Sequence, residues 1–159
     1  AVSPVCGFCA WRTDAISDTD DCLLGVKENR ELLERLLGFM DEYEISVYDE
    51  VSHLGLMRHV LFRTGFHTGE IMVCLVVNGE AIPHSDVLIG RLREVAGMES
   101  ITLSVNREKG NVVMGKEIKL LYNKRYITDY IGDVKYQISP LSFYQVNPVQ
   151  TKVLYELAL

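Results

Sequence analysis

Residues 56–78 read Leu56-Met57-Arg58-His59-Val60-Leu61-Phe62-Arg63-Thr64-Gly65-Phe66-His67-Thr68-Gly69-Glu70-Ile71-Met72-Val73-Cys74-Leu75-Val76-Val77-Asn78. Two β-rich runs, Leu56 to Phe66 and Glu70 to Asn78, flank His67-Thr68-Gly69, which has the length and composition of a hairpin loop. The second run is apolar at every position from Ile71 to Val77. A strand with one wet face alternates, so this one is expected at the centre of a sheet, covered on both faces.

On the N-terminal side, Leu32, Leu33, Leu36, Leu37 and Met40 recur at helical spacing, while Lys27, Glu28, Arg30, Glu31, Glu34 and Arg35 fill the other face. This predicts an amphipathic helix over 27–41. Residues 1–24, with Pro4, Gly7 and the polar run Asp18-Thr19-Asp20-Asp21, read as one or two short strands and a turn. On the C-terminal side, Ile82-Pro83-His84-Ser85-Asp86 introduces a second helix with Leu88, Leu92 and Val95 on one stripe and Gly97 at its end. Ile101 to Asn106 reads as a strand, Lys109-Gly110-Asn111 as a turn, and Val112 to Met114 and Glu117 to Leu121 as further short strands. Tyr126 to Ile131 and Asp133 to Ile138 follow around Gly132. The sum is an α+β domain over residues 1–138, a mostly antiparallel sheet with two or three packed helices, with a boundary at Ser139-Pro140.

The chain has 159 residues, 48% hydrophobic and 24% charged, enough to bury a core and unlike a disordered segment. No apolar run approaches the ~18 residues needed to span a bilayer, and no signal peptide is visible, so a soluble cytoplasmic protein with no membrane partner is expected. The formal net charge of −6 counts against this chain as the main grip on nucleic acid, which usually relies on Lys and Arg. Arg58, His59 and Arg63 on one segment, and Arg107, Lys109, Lys116 and Lys119 on another, could still form a local basic patch; solvated charges on sheet edges are the plainer reading.

The last stretch runs Ser139-Pro140-Leu141-Ser142-Phe143-Tyr144-Gln145-Val146-Asn147-Pro148-Val149-Gln150-Thr151. Asn147 and Pro148 suit an N-cap and first helical position, and Val149, Val153, Leu154 and Leu157 continue at helical spacing. Two aromatic rings and a bidentate amide before a helix suit a heterocycle. Phe143-x-Gln145-x-Asn147-Pro148 resembles the first methyltransferase motif of the RNA uracil-C5 methyltransferases. Four further pieces share the resemblance in order and spacing: Tyr48-Asp49-Glu50, Gly55-Leu56-Met57-Arg58-His59-Val60, Thr68-Gly69-Glu70-Ile71-Met72-Val73 and Tyr126-Ile127-x-Asp129-Tyr130-Ile131-Gly132. The chain looks most like the bacterial 23S ribosomal RNA branch.

The resemblance implies that residues 139–159 begin a truncated, Rossmann-like methyltransferase domain that uses S-adenosylmethionine, represented here by its first helix. It gives Gln145 a contact to that cofactor and makes Phe143 a candidate for stacking near the target base. Ribosomal RNA is the implied substrate, tRNA ranks second, and DNA is not expected. In the family a cysteine thiolate adds to C6 of uracil so that C5 attacks the methyl sulfonium, after which a base removes the C5 proton. The uracil must first leave any stack. Neither that thiol, that base nor a glycine-rich strand-turn-helix is visible in residues 1–159, so this chain alone is expected to be catalytically silent. It opens on Ala-Val-Ser-Pro and stops at Leu157-Ala158-Leu159 inside a periodic helix, which suggests an excerpt of a longer parent.

Cys6-Gly7-Phe8-Cys9 has the gap of a zinc half-site, yet Cys22 offers only a third ligand, and Cys6 and Cys9 read better as small apolar strand residues. Asp18-x-Asp20-Asp21-Cys22-Leu23 resembles the segment that carries the fourth thiolate of a [4Fe-4S] cluster in many members of the family. The other three thiolates would precede residue 1, so the cluster would be incomplete in this chain. Cys74, walled by Met72, Val73, Leu75 and Val76, reads as an inert core thiol rather than a nucleophile. Arg58 and His59, adjacent on a strand, should point to opposite faces, one reaching solvent or RNA phosphate and the other held inside. His53, His67 and His84 lie in loops or turns and suggest no triad; Asp41, Glu42, Glu44, Asp49 and Glu50 read as solvated surface. The competing function is a self-sufficient RNA- or protein-binding module without catalysis, and a zinc-stabilised domain is a poorer third.

Overall fold

The computed structural model describes residues 7–9, 16–18 and 27–143. Two short strands, β1 (Gly7–Cys9) and β2 (Ile16–Asp18), pair antiparallel. Helix α1 spans Glu28–Glu42, with Glu28 and Glu31 in its first turn, where carboxylates complement the helix dipole. Its buried stripe is Leu32, Leu36, Phe39 and Met40. Leu33 and Leu37, expected in that stripe, are half-buried at its margin, because Phe39 turns the apolar face toward the sheet. Each of the four buried side chains contributes about 1.5–3 kcal/mol relative to exposure in water.

The main sheet has strand order β3 (Met57–Thr64), β4 (Ile71–Val77), β5 (Met98–Val105), β6 (Glu117–Asn123). Every residue of β4 is buried, as its unbroken apolar run requires. The β3–β4 and β5–β6 pairs are antiparallel; β4 and β5 are parallel because helix α2 (Ser85–Leu92) carries the chain back between them. One sheet face, with Ile71, Val73, Leu75, Val77, Ile101 and Leu103, packs on Leu32, Leu36 and Phe39 of α1 and on Leu88 and Leu92 of α2. On the other face Met72 meets Ile127, Ile138 and the half-buried Tyr136 of a hairpin formed by β7 (Ile127–Ile131) and β8 (Val134–Ile138). Gly132, at φ +57°, supplies the left-handed conformation in the hairpin's two-residue turn.

Several local expectations change. Helix α2 ends at Leu92, so Val95 and Gly97, expected in its last turn and at its end, lie in the connection to β5. Strand β3 ends at Thr64 rather than Phe66, because the amides of Phe66 and His67 are taken by the Asp129 carboxylate. Val112 to Met114 form no strand: the side-chain amide of Asn106, only 2% exposed, donates to Val112 O (2.6 Å) and Val113 O (3.1 Å) and folds this stretch back. The final strand of the main sheet runs on to Asn123 as one element. The expected methyltransferase helix after Asn147 lies outside the described residues.

Candidate functional site

Four of the five pieces of sequence that carry the family resemblance fall into two hydrogen-bonded constellations. The first surrounds the connection between β3 and β4. Asp129, on β7, is fully buried; its Oδ2 accepts the amide N–H of Phe66 (2.8 Å) and its Oδ1 that of His67 (2.9 Å). The His67 Nδ1 lies 3.7 Å from the same Oδ1. Thr68 Oγ1 donates to Thr128 O (2.6 Å), and Glu70 Oε2 accepts the Thr128 N–H (2.7 Å). Buried charge is tolerated only where hydrogen bonds replace water, and the two loop amides do so here.

Within the loop, Gly65 N–H donates to Glu70 O and Gly69 N–H to Gly65 O, both at 2.8 Å. A side chain at Gly65 would meet Thr68 Oγ1 at 2.4 Å and Thr128 O at 2.8 Å, so only glycine permits the approach of β7. Gly97, at φ +87°, presses on Gly69 O from the start of β5. Held this way, the loop presents Phe66, 56% exposed, with its ring 5.4 Å from that of His67 at 86°. Tyr126 and Tyr130 of the neighbouring hairpin are also partly exposed.

The second constellation surrounds Arg58. A β-bulge between Met57 and His59 makes Arg58 the extra residue of its strand. Its guanidinium donates to Asn106 O (3.1 Å) and Glu108 O (2.9 Å), reaches Glu50 Oε1 at 3.4 Å, and stacks 4.1 Å from the centre of the Tyr48 ring. The Tyr48 hydroxyl meets His53 Nδ1 at 3.0 Å, and Asp49 Oδ1 accepts the Ser52 N–H at 2.6 Å. Asp49 and Glu50, read as solvated surface, are therefore a turn cap and an ion-pair partner.

Of the sequence-predicted pair, Arg58 is the inward member, its side chain 1% exposed, and His59 is half-buried. Burial, reinforced by the Arg58 cation, lowers the His59 pKa below the ordinary imidazole value. Arg63 is also half-buried, with one NH2 N–H to Pro140 O at 3.3 Å and its Nε left without a partner. Three of the four cations in the second candidate set are met by carboxylates: Arg107 by Glu80, Lys116 by Glu108, and Lys119 by Glu80 and Glu117.

Phe143 is 86% exposed at the end of the described segment, whereas Gln145 lies outside it, as does Cys22. Among the described residues no three His, Cys, Asp or Glu side chains stand close enough to hold a metal ion. Cys74 is fully buried and burial pushes its thiol up, the opposite of what a nucleophile or metal ligand needs. The described residues therefore do not by themselves form an iron–sulfur site. Sequence reasoning missed Asp129 and Phe66; an acidic residue in an otherwise apolar strand segment was the available signal.

The chain's architecture and sequence both match enzymes that methylate RNA. Over 91% of its length it superposes, with a TM-score of 0.77 and 33% sequence identity, on 35% of the tRNA (uracil-54, C5)-methyltransferase of Pyrococcus abyssi, solved with S-adenosyl-L-homocysteine. It is similar to RNA methyltransferases. The chain is 43% identical over 154 residues to an uncharacterized RNA methyltransferase of Clostridium tetani, covering 96% of this chain and 34% of that protein. It is 44% identical over 156 residues to another from Halalkalibacterium halodurans, covering 98% and 34%. The chain thus spans about a third of the length of the relatives it matches. No family model matches the sequence.

Proposed function

We propose that this chain is part of an S-adenosylmethionine-dependent RNA methyltransferase that methylates C5 of uridine, with ribosomal RNA as substrate and tRNA as the alternative. The observation that carries the reading is the joint likeness in fold and sequence, across 91% of the chain, to a uracil-C5 methyltransferase solved with the demethylated cofactor. The ribosomal branch rests on the motif resemblance. In this reading residues 1–138 form a central domain that supports RNA, and residues 139–159 open the methyltransferase domain.

Gln145 is proposed as a contact to S-adenosylmethionine, which supplies the methyl group, and Phe143 as a stacking partner near the target uracil. Its exposed ring at the junction suits that role. His59 is the RNA-side member of the β3 pair, and Arg58 supports it from within. Cys22 is proposed to belong to an iron–sulfur site completed by residues outside this chain. The nucleophile and base are likewise assigned outside residues 1–159, so the isolated chain is catalytically silent, and the enzyme is cytoplasmic.

The test uses the full open reading frame that contains residues 1–159. It is incubated with S-adenosylmethionine and unmodified ribosomal RNA or tRNA carrying tritium at uracil C5, and tritium in water is counted. Release that depends on the methyl donor is the expected result, and the RNA that gives it names the substrate. No release from either RNA by a folded protein refutes the reading and favours a binding module. Methyl transfer by residues 1–159 alone would overturn their proposed silence.

A further inference from the structure

We propose that the loop 65–69 is a built stacking platform, on which one unpaired base of the RNA lies against Phe66 beside His67. The inference rests on the RNA-methyltransferase reading and adds a residue that holds substrate.

A singly exposed apolar ring is ordinary on a protein surface. The support beneath this one is not: a fully buried carboxylate from a different sheet fixes the backbone on both sides of the ring. Attachment of the hairpin to the main sheet is already provided by the Thr68–Thr128 and Glu70–Thr128 bonds and by the contact of Met72 with Ile127 and Ile138. That attachment leaves unexplained why the amides chosen by Asp129 are those of two exposed rings. The edge-on contact between Phe66 and His67 occupies one face of one ring and leaves the remaining aromatic surface open.

The surroundings favour a base over an apolar peptide. Arg125 stands beside the partly exposed rings of Tyr126 and Tyr130 along the adjoining segment, while Lys124 there is paired with Glu70 and Glu99. This is the composition that binds single-stranded nucleic acid, through stacking with electrostatic help. A chain with a net charge of −6, several of whose cations face carboxylates, has reason to rely on stacking over phosphate contacts.

The test compares Phe66→Ala, Phe66→Leu and Phe66→Trp with the parent in the full open reading frame. Each is assayed for binding of a fluorescein-labelled single-stranded oligouridine of about 20 nucleotides, and for methyl transfer to unmodified RNA. Phe66→Ala and Phe66→Leu should weaken binding and raise KM for RNA about 10-fold, with kcat at saturating RNA and the melting transition unchanged, and Phe66→Trp should restore both. In Phe66→Trp, bound RNA should quench fluorescence beyond the change shown by the parent protein. Unchanged binding in the Ala and Leu variants overturns the platform even if methyl transfer is intact. Binding that depends on Phe66 in a protein with no methyl transfer upholds the platform and refutes the activity. If the parent binds no RNA, both fall.

Discussion

Replacing Asp129 by alanine isolates the contribution of one buried carboxylate to the order of an exposed loop. The side chain is fully buried and accepts the amides of Phe66 at 2.8 Å and His67 at 2.9 Å. Hydrogen bonds to a charged group contribute about 1.5–3 kcal/mol each. Both donors belong to exposed residues, so water recovers part of the loss once the carboxylate is gone, and removal of a buried charge returns some desolvation cost. The net effect on the loop is then about 2–4 kcal/mol. In native-state hydrogen exchange of the full open reading frame, the amides of residues 66 and 67 should exchange about 30- to 1000-fold faster in Asp129→Ala, at 1.36 kcal/mol per tenfold. Asp129→Asn preserves shape but turns an NH2 group toward one of two donors, so it should recover less than half of the protection. Exchange at these amides within about threefold of the parent in both variants would refute the clamp as the source of loop order.

Three further outcomes follow from the geometry. Arg58→Ala should destabilise the protein by about 3–5 kcal/mol in urea titration, because it strips a buried cation from two carbonyls and Glu50, and Arg58→Lys should rescue little, lacking the planar fork. Cys74 should resist alkylation in the folded protein at pH 8 and react once denaturant unfolds it. Burial raises its pKa above the unfolded thiol, so its contribution to stability is complete below the ordinary thiol range and is lost as pH rises through the folded value. His59 has the opposite sign: its folded pKa is depressed, so its contribution is present above the unfolded value of 6.5 and is lost as pH falls toward the folded one. His59→Gln should therefore flatten the stability profile on the acid side of 6.5, as read by thermal melts in a pH series.

What was legible in the sequence was whatever local periodicity encodes. The unbroken apolar run of β4, the stripe of α1, the start of α2 and the glycine turn of the β7–β8 hairpin all follow from spacing alone, whereas the stop of α2 at Leu92 comes a turn before the expected Gly97. The misread places share another property: a side chain distant in sequence or out of register does work that backbone pairing would otherwise do. Asn106 takes two carbonyls from a valine-rich stretch that reads as a strand. The bulge at Arg58 breaks the alternation by one residue and buries a charge in a position that strict period two leaves open. Asp129 reaches amides 62 and 63 positions away.

The same property explains why the resembling motifs are the strings they are. Thr68-Gly69-Glu70 and Ile127-x-Asp129 look independent in the sequence, yet Thr68 and Glu70 bond Thr128 while Asp129 holds the loop that precedes them. Tyr48-Asp49-Glu50 and Arg58 meet in the same way across the bulge. Substitution at either end of such a pair strands a buried polar group at the other, which costs more than an ordinary surface change. The two strings of each pair are therefore constrained together, and the energy of that constraint lies in positioning loops rather than in filling the core. A module whose only task was to fold could close its loops with fewer buried charges. Loops held this firmly, with aromatic rings left in water, are the arrangement expected where a substrate must find its contacts already in place.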